Sequence, residues 1–144
     1  MSYIRYKNNN LFVENVSVRG LTSKFGSPFY LYSEGNIIEN YKSFSNNFKK
    51  SNPLICFSVK ANSNIQILKI LKKMGSGADV VSGGELLKAI KSGIKPNKIV
   101  FSGVGKTEDE IKMAIRKKIL LINVESENEA ILINKIAGKL KKKT

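Results

Sequence analysis

The sequence predicts an α/β fold in which four strand-to-helix units follow one another along the chain. Three observations carry this: short Val- and Ile-rich runs recur, each is followed by Ser or Thr with Glu or Gln three residues on, and each such pair opens an amphipathic stretch. The units are PLICFSVKAN with Ser63 and Gln66, GADVV with Ser82 and Glu85, KIVFSGVGK with Thr107 and Glu110, and ILLINVE with Ser126 and Glu129. Each pair fits a capping box, in which the hydroxyl accepts the N3 amide and the N3 side chain returns to the cap amide.

The material before the array has a different character. NNNLFVENVSVRGLTSKFGSPFYLYS carries β-forming residues between turn formers, with FYLYS (29–33) a strand candidate, and NIIENYKSFSNNF reads as a helix. Residues 1–33 are therefore expected to be a β segment belonging with another module, and 34–144 to hold the array.

The helices IQILKILKKM, LLKAIKSG, EIKMAIRKK and AILINKIAGKL repeat apolar residues at three- and four-residue spacing with lysines on the opposite face. Gly75 and Gly93 stand where a left-handed C′ residue ends a helix, and Pro96 cannot continue one. Strands alternating with helices pair in parallel through right-handed crossovers. Two architectures accept such an array: an open doubly wound sheet, or half of a (β/α)8 barrel. The pattern itself fits both.

Composition narrows the function. A chain of 144 residues with 42% apolar content has the length of about one domain and the material for a core. No run approaches the ~18 apolar residues of a membrane span, and MSYIRYKNNN lacks the apolar stretch of a signal peptide, so a cytoplasmic location is expected. Cys56, the single cysteine, has neither a second cysteine nor a histidine to share a metal with, and is expected to be a small buried residue. The net charge of +14 raises nucleic-acid binding. Against it, the lysines are spread along helix faces and no aromatic-basic interleaving suited to base stacking occurs.

One residue stands out. Alternation along 55–60 puts Ile55, Phe57 and Val59 on one face and Cys56, Ser58 and Lys60 on the other, so Lys60 is expected above two small residues at the carboxyl end of its strand. Partial burial there would lower the pKa of the amine and leave it nucleophilic, as in a Schiff-base lysine. The competing reading is a lysine that extends into water from a strand end.

In order and at matching spacing, ICFSVKANSN, GSGADVVSGGELLKAIKSGI, KIVFSGVGKTEDEI and INVESENE resemble the diaminopimelate decarboxylases, alanine-racemase-like members of the ornithine/diaminopimelate/arginine decarboxylase family. FYLYSEGNIIENYKSF looks like their lead-in helix, so the likeness covers nearly all of the chain from about residue 10. The resemblance implies the barrel, its first (βα)4 half, and pyridoxal 5'-phosphate as cofactor. It implies that Lys60, in the VKAN motif, bonds the cofactor, and that Asp79, in GADVV, faces the cofactor region. Asp79 as a carboxylate that only orients its neighbours is the plainer alternative. Gly83 and Gly84 suit a phosphate cradle, and equally a tight turn into the helix that Ser82 caps.

The same resemblance implies an amino-acid decarboxylase that converts meso-diaminopimelate to L-lysine and is a homodimer at full length, without nucleic-acid or membrane partners. Related enzymes acting on ornithine, arginine or carboxynorspermidine share the chemistry, and a pyridoxal-phosphate-binding barrel without catalysis is a further class. The likeness ends after the fourth βα unit. The parts of the site that the family draws from later strands and a C-terminal β domain have no counterpart here, so these residues alone are expected to have little activity. The strands of 1–33 would join that β domain and have nothing to pair with by themselves.

Overall fold

The computed structural model describes residues 3–143. The chain divides into two compact units, Met1–Asn47 and Phe48–Thr144.

In the first unit, strands β1 (Ile4–Lys7), β2 (Asn10–Val13) and β3 (Val16–Ser17) form an antiparallel sheet in that order. Lys7 pairs with Asn10, so the β1–β2 turn consists of Asn8 and Asn9. Both have positive φ, 49° and 57°, as a two-residue hairpin turn of the I′ kind requires, and Asn tolerates it. The strands pair with one another, correcting the expectation that they would lack partners. Helix α1 (Val18–Phe25) begins at Ser17, whose hydroxyl accepts the Gly20 amide, and α2 (Glu34–Asn46) begins at Ser33, which accepts that of Asn36. The Glu14 carboxylate ties the hairpin to the start of α2: it accepts from Ser33 Oγ at 2.6 Å and from the Gly35 amide at 2.8 Å. These two bonds, Ser33 foremost, hold its pKa below the usual carboxylate range. Residues 29–33 form no strand. Their large side chains are exposed, Tyr30 at 90%, so no apolar face drives a sheet there.

The second unit is the βα array: β4 (Cys56–Ser58), α3 (Ile65–Lys73), β5 (Gly77–Val80), α4 (Gly83–Lys91), β6 (Ile99–Phe101), α5 (Glu108–Lys117), β7 (Leu121–Ile122) and α6 (Glu127–Lys139). The strands are parallel and ordered β4-β5-β6-β7. No strand crosses back over the sheet, whereas a doubly wound sheet reverses its order at a switch point. Phe57, Ala78, Val80, Ile99, Phe101 and Ile122 pack into one core with Leu68, Leu86, Ile111, Ile133 and Ile136 of the helices. Burying each large side chain is worth about 1.5–3 kcal/mol. The opposite sheet face carries small or polar residues, Cys56, Ser58, Gly77 and Asp79, with Val100 and Leu121 toward the β7 edge. One helix-covered face with sequential strand order is the arrangement of a growing barrel, and that decides between the two architectures.

Three of the four expected caps are in place. Thr107 and Glu110 form a complete capping box. Ser82 and Ser126 accept the amides of Glu85 and Glu129, while those glutamates return one residue early, to the amides of Val81 and Glu125. The first cap is displaced: Asn64, not Ser63, receives the Gln66 amide at 2.9 Å. Ser63 instead accepts from Lys88 Nζ at 2.8 Å. Gly75 and Gly93 have φ of 91° and 92°, the left-handed endings expected. Among the described residues no helix is long and apolar enough to cross a membrane.

Candidate active site

The carboxyl ends of β4 to β7 lie side by side, each leading into a helix. β4 stops at Ser58, and Val59–Ala61 form a 3-10 turn. Val59 keeps the alternation and is fully buried in the core. Lys60 does not: the turn rotates it out of the pleat, and its side chain is exposed. This corrects the expectation of a partly buried amine on the strand.

Asp79 is half-buried on the inner face of β5, paired in register with Ser58. Ser102 Oγ donates to Asp79 Oδ1 at 2.5 Å, and Asn123 Nδ2 donates to Ser102 Oγ at 2.9 Å. Ser102 follows β6 and Asn123 follows β7, so three neighbouring strand ends contribute one polar side chain each. The orienting reading of Asp79 thus has specific partners, and its place on the inner face is compatible with the other. Sequence reasoning missed Ser102 and Asn123. Their signal was available: both continue the parity of Asp79 across the sheet, in FSG and INV.

Cys56 is half-buried rather than fully buried. Burial, then the Asp79 carboxylate, push its thiol up, with Lys98 opposing. Gly77 beside it has no room for a side chain, since a Cβ would run into the Lys98 carbonyl oxygen and lie 2.7 Å from Cys56 Sγ.

A second lysine is the buried one. Lys106, in the loop between β6 and α5, donates to the carbonyls of Gly103 (2.6 Å) and Asn123 (2.7 Å) and to Glu129 Oε1 (2.8 Å). Three ammonium protons meet three acceptors. Glu129 is pushed up by burial, but Lys106 and the Glu125 amide outweigh that and leave it low. The GVGK stretch contained this residue, yet nothing in its spacing marks it as buried. Next to it, Glu110 serves two helix starts: Oε1 accepts the Gly83 amide at 2.7 Å and Oε2 the Thr107 amide at 3.0 Å. A Cβ on Gly83 would lie 3.1 Å from Glu110 Cγ. Gly83 is therefore a packing glycine whose amide is already engaged, which favours the turn reading of the Gly83–Gly84 pair over a phosphate cradle.

A planar aldehyde cofactor of the pyridoxal kind needs an accessible amine and flat space beside it. Lys60 is accessible, and Cys56, Ser58 and Gly77 leave the adjacent inner face low, with the Asp79 carboxylate on the next strand. The residues present fit the group.

Residues 34–143 match the family model described as pyridoxal-dependent decarboxylase, pyridoxal binding domain. The chain is 48% identical over 141 residues to the diaminopimelate decarboxylase of Aquifex aeolicus, covering 98% of this chain and 33% of the relative. It is 42% identical over 142 residues to that of Haemophilus influenzae, covering 99% and 34%. Among solved structures, an A. aeolicus protein superposes with a TM-score of 0.95 at 47% identity, over 99% of this chain and 35% of the other. The diaminopimelate decarboxylase of M. jannaschii in complex with L-lysine gives 0.92 at 40% identity, over 96% and 33%. The chain thus spans about a third of the length of the relatives it matches.

Proposed function

Because the chain belongs to the pyridoxal-dependent decarboxylases, with its βα array in their pyridoxal-binding domain, we propose that it is the cofactor-anchoring portion of an enzyme that decarboxylates meso-diaminopimelate to L-lysine. The observation that carries the reading is the exposed amine of Lys60 beside a low, small-residue sheet face on a chain 48% identical to a diaminopimelate decarboxylase. In this reading residues 34–144 are the first half of the barrel, and 1–33 is the β segment that joins a further β domain. In this reading the full-length protein is a cytoplasmic homodimer, and the exposed Tyr6, Phe25 and Tyr30 are apolar surface for the further β domain or a partner subunit to cover.

Each residue has a task. Lys60 would supply the nitrogen that holds the cofactor and, when free, an amine able to take up or give a proton. Asp79 would present its carboxylate to the cofactor region from the inner face of β5. Lys106, Glu110 and Glu129 tie the strand-end loops together so that these side chains keep their places. When bound, pyridoxal phosphate supplies the electron sink that takes the pair left on the α-carbon as carbon dioxide departs.

The test is borohydride trapping of pyridoxal phosphate on the full-length protein, with the modified peptide mapped by mass. Modification at Lys60, lost in Lys60→Ala, is expected, together with carbon dioxide release from meso-diaminopimelate in preference to ornithine or arginine. An adduct that survives Lys60→Ala removes Lys60 from the mechanism. Release from ornithine or arginine alone moves the enzyme to another branch of the family.

A further inference from the structure

We infer that Ser102 and Asn123 are positioning residues of the active site, forming a directed hydrogen-bond chain that fixes the orientation of Asp79; this rests on the reading of the site just given. The direction follows from proton counting. A serine hydroxyl has one hydrogen, and Ser102 gives it to Asp79 Oδ1 at 2.5 Å. Its oxygen can then only accept, so the Asn123 group 2.9 Å away must be the NH2 end of the amide. The chain runs from Asn123 through Ser102 to Asp79 and cannot run backwards while Asp79 is a carboxylate.

Both donors are held by their main chains. The Ser102 amide donates to the Val80 carbonyl at 2.8 Å, and the Asn123 amide to that of Phe101 at 2.9 Å. The Asn123 carbonyl accepts from the buried Lys106 at 2.7 Å. Asn123 is thereby gripped on both sides of its Cα, so its side chain has a fixed origin. A charge-assisted hydrogen bond from a fixed donor selects one carboxylate rotamer. It engages Oδ1 and leaves Oδ2 without a protein donor among the described residues, available to the group carried by Lys60. Among the described residues, the Ser102 hydroxyl bonds Asp79 and Asn123 and not Lys60. It acts through Asp79.

The experiment uses the full-length protein loaded with pyridoxal phosphate, comparing Ser102→Ala, Ser102→Thr, Asn123→Ala and Asp79→Ala. The visible absorbance and circular dichroism of the cofactor held on Lys60 report the field and symmetry around it. Ser102→Ala is expected to displace these bands in the same sense as Asp79→Ala. It should lower kcat about tenfold with KM within about twofold. Ser102→Thr, which keeps the hydroxyl, should restore both, Asn123→Ala should give a smaller displacement, and Ser102→Ala should add little in an Asp79→Ala background. Bands and kcat of Ser102→Ala that coincide with wild type, beside a displaced Asp79→Ala, overturn the inference and leave the functional reading standing. Absence of the cofactor bands in wild type overturns both.

Discussion

Lys106 Nζ lies 2.8 Å from Glu129 Oε1, with the two side chains only 1% and 11% exposed. The pair joins the loop after β6 to the first turn of α6, and the same ammonium holds the Gly103 and Asn123 carbonyls. Removing one partner strands the other in a medium that cannot solvate it. Lys106→Met is therefore expected to cost about 3–5 kcal/mol, the range for breaking a buried pair from one side. Glu129→Gln, which retains an acceptor, should cost about 1–2 kcal/mol. Denaturant titration of the two variants checks the order, and a Lys106→Met loss below that of Glu129→Gln contradicts it.

Acid should destabilise the fold through identifiable carboxylates. Glu110 is held low by the Gly83 amide and then that of Thr107, and Glu129 is low on balance despite its burial. A carboxylate whose folded pKa lies below its unfolded value, about 4.3, stabilises the fold fully above that value and loses the contribution as pH falls through the folded one. The sequence has no histidine to add a transition near neutrality. The unfolding midpoint should be nearly flat from about pH 6 to 8 and fall below about pH 4.3, with a shallower fall in Glu110→Gln. An equal slope in that variant removes Glu110 from the account.

Gly77 allows a close approach between β5 and the Lys98 carbonyl. Gly77→Ala must push backbone against backbone, which costs about 1–3 kcal/mol in a packed interior. Thermal unfolding measures it; a variant as stable as the parent would show that the strands can separate freely there.

The start of α3 offers a paired comparison. Asn64→Ala should cost about 1 kcal/mol as the loss of a cap, while Ser63→Ala, which loses one exposed bond to Lys88, should change stability by less than about 0.5 kcal/mol. The reverse order would restore the cap to Ser63.

Lys60→Ala should leave stability within about 0.5 kcal/mol while abolishing the trapped cofactor adduct, because the side chain is exposed. Urea titration and adduct mapping on one preparation separate chemistry from folding. A large stability loss would mean that Lys60 supports the fold.

Much of this protein was legible from local pattern. Helix positions followed from three- and four-residue periodicity, three caps from Ser or Thr three residues before Glu, and two helix ends from Gly75 and Gly93, because these signals arise within a turn or two of the same chain. The family followed from motifs in order, and with it the expectation that Lys60 and Asp79 are site residues.

What only the tertiary structure decided were relations between distant segments. Sheet order and the single helix-covered face, which separate barrel from doubly wound sheet, depend on how crossovers stack and not on any one unit. Lys106 reads in sequence like any other lysine, and its burial comes from two carbonyls and a carboxylate up to 23 residues away. Lys60 came out of the strand because the chain turned at Val59, and Ser102 and Asn123 joined Asp79 because parallel pairing brings three strand ends abreast. Periodicity along a chain sets which face a side chain takes. Only the packing of strand against strand sets which other side chains it meets there.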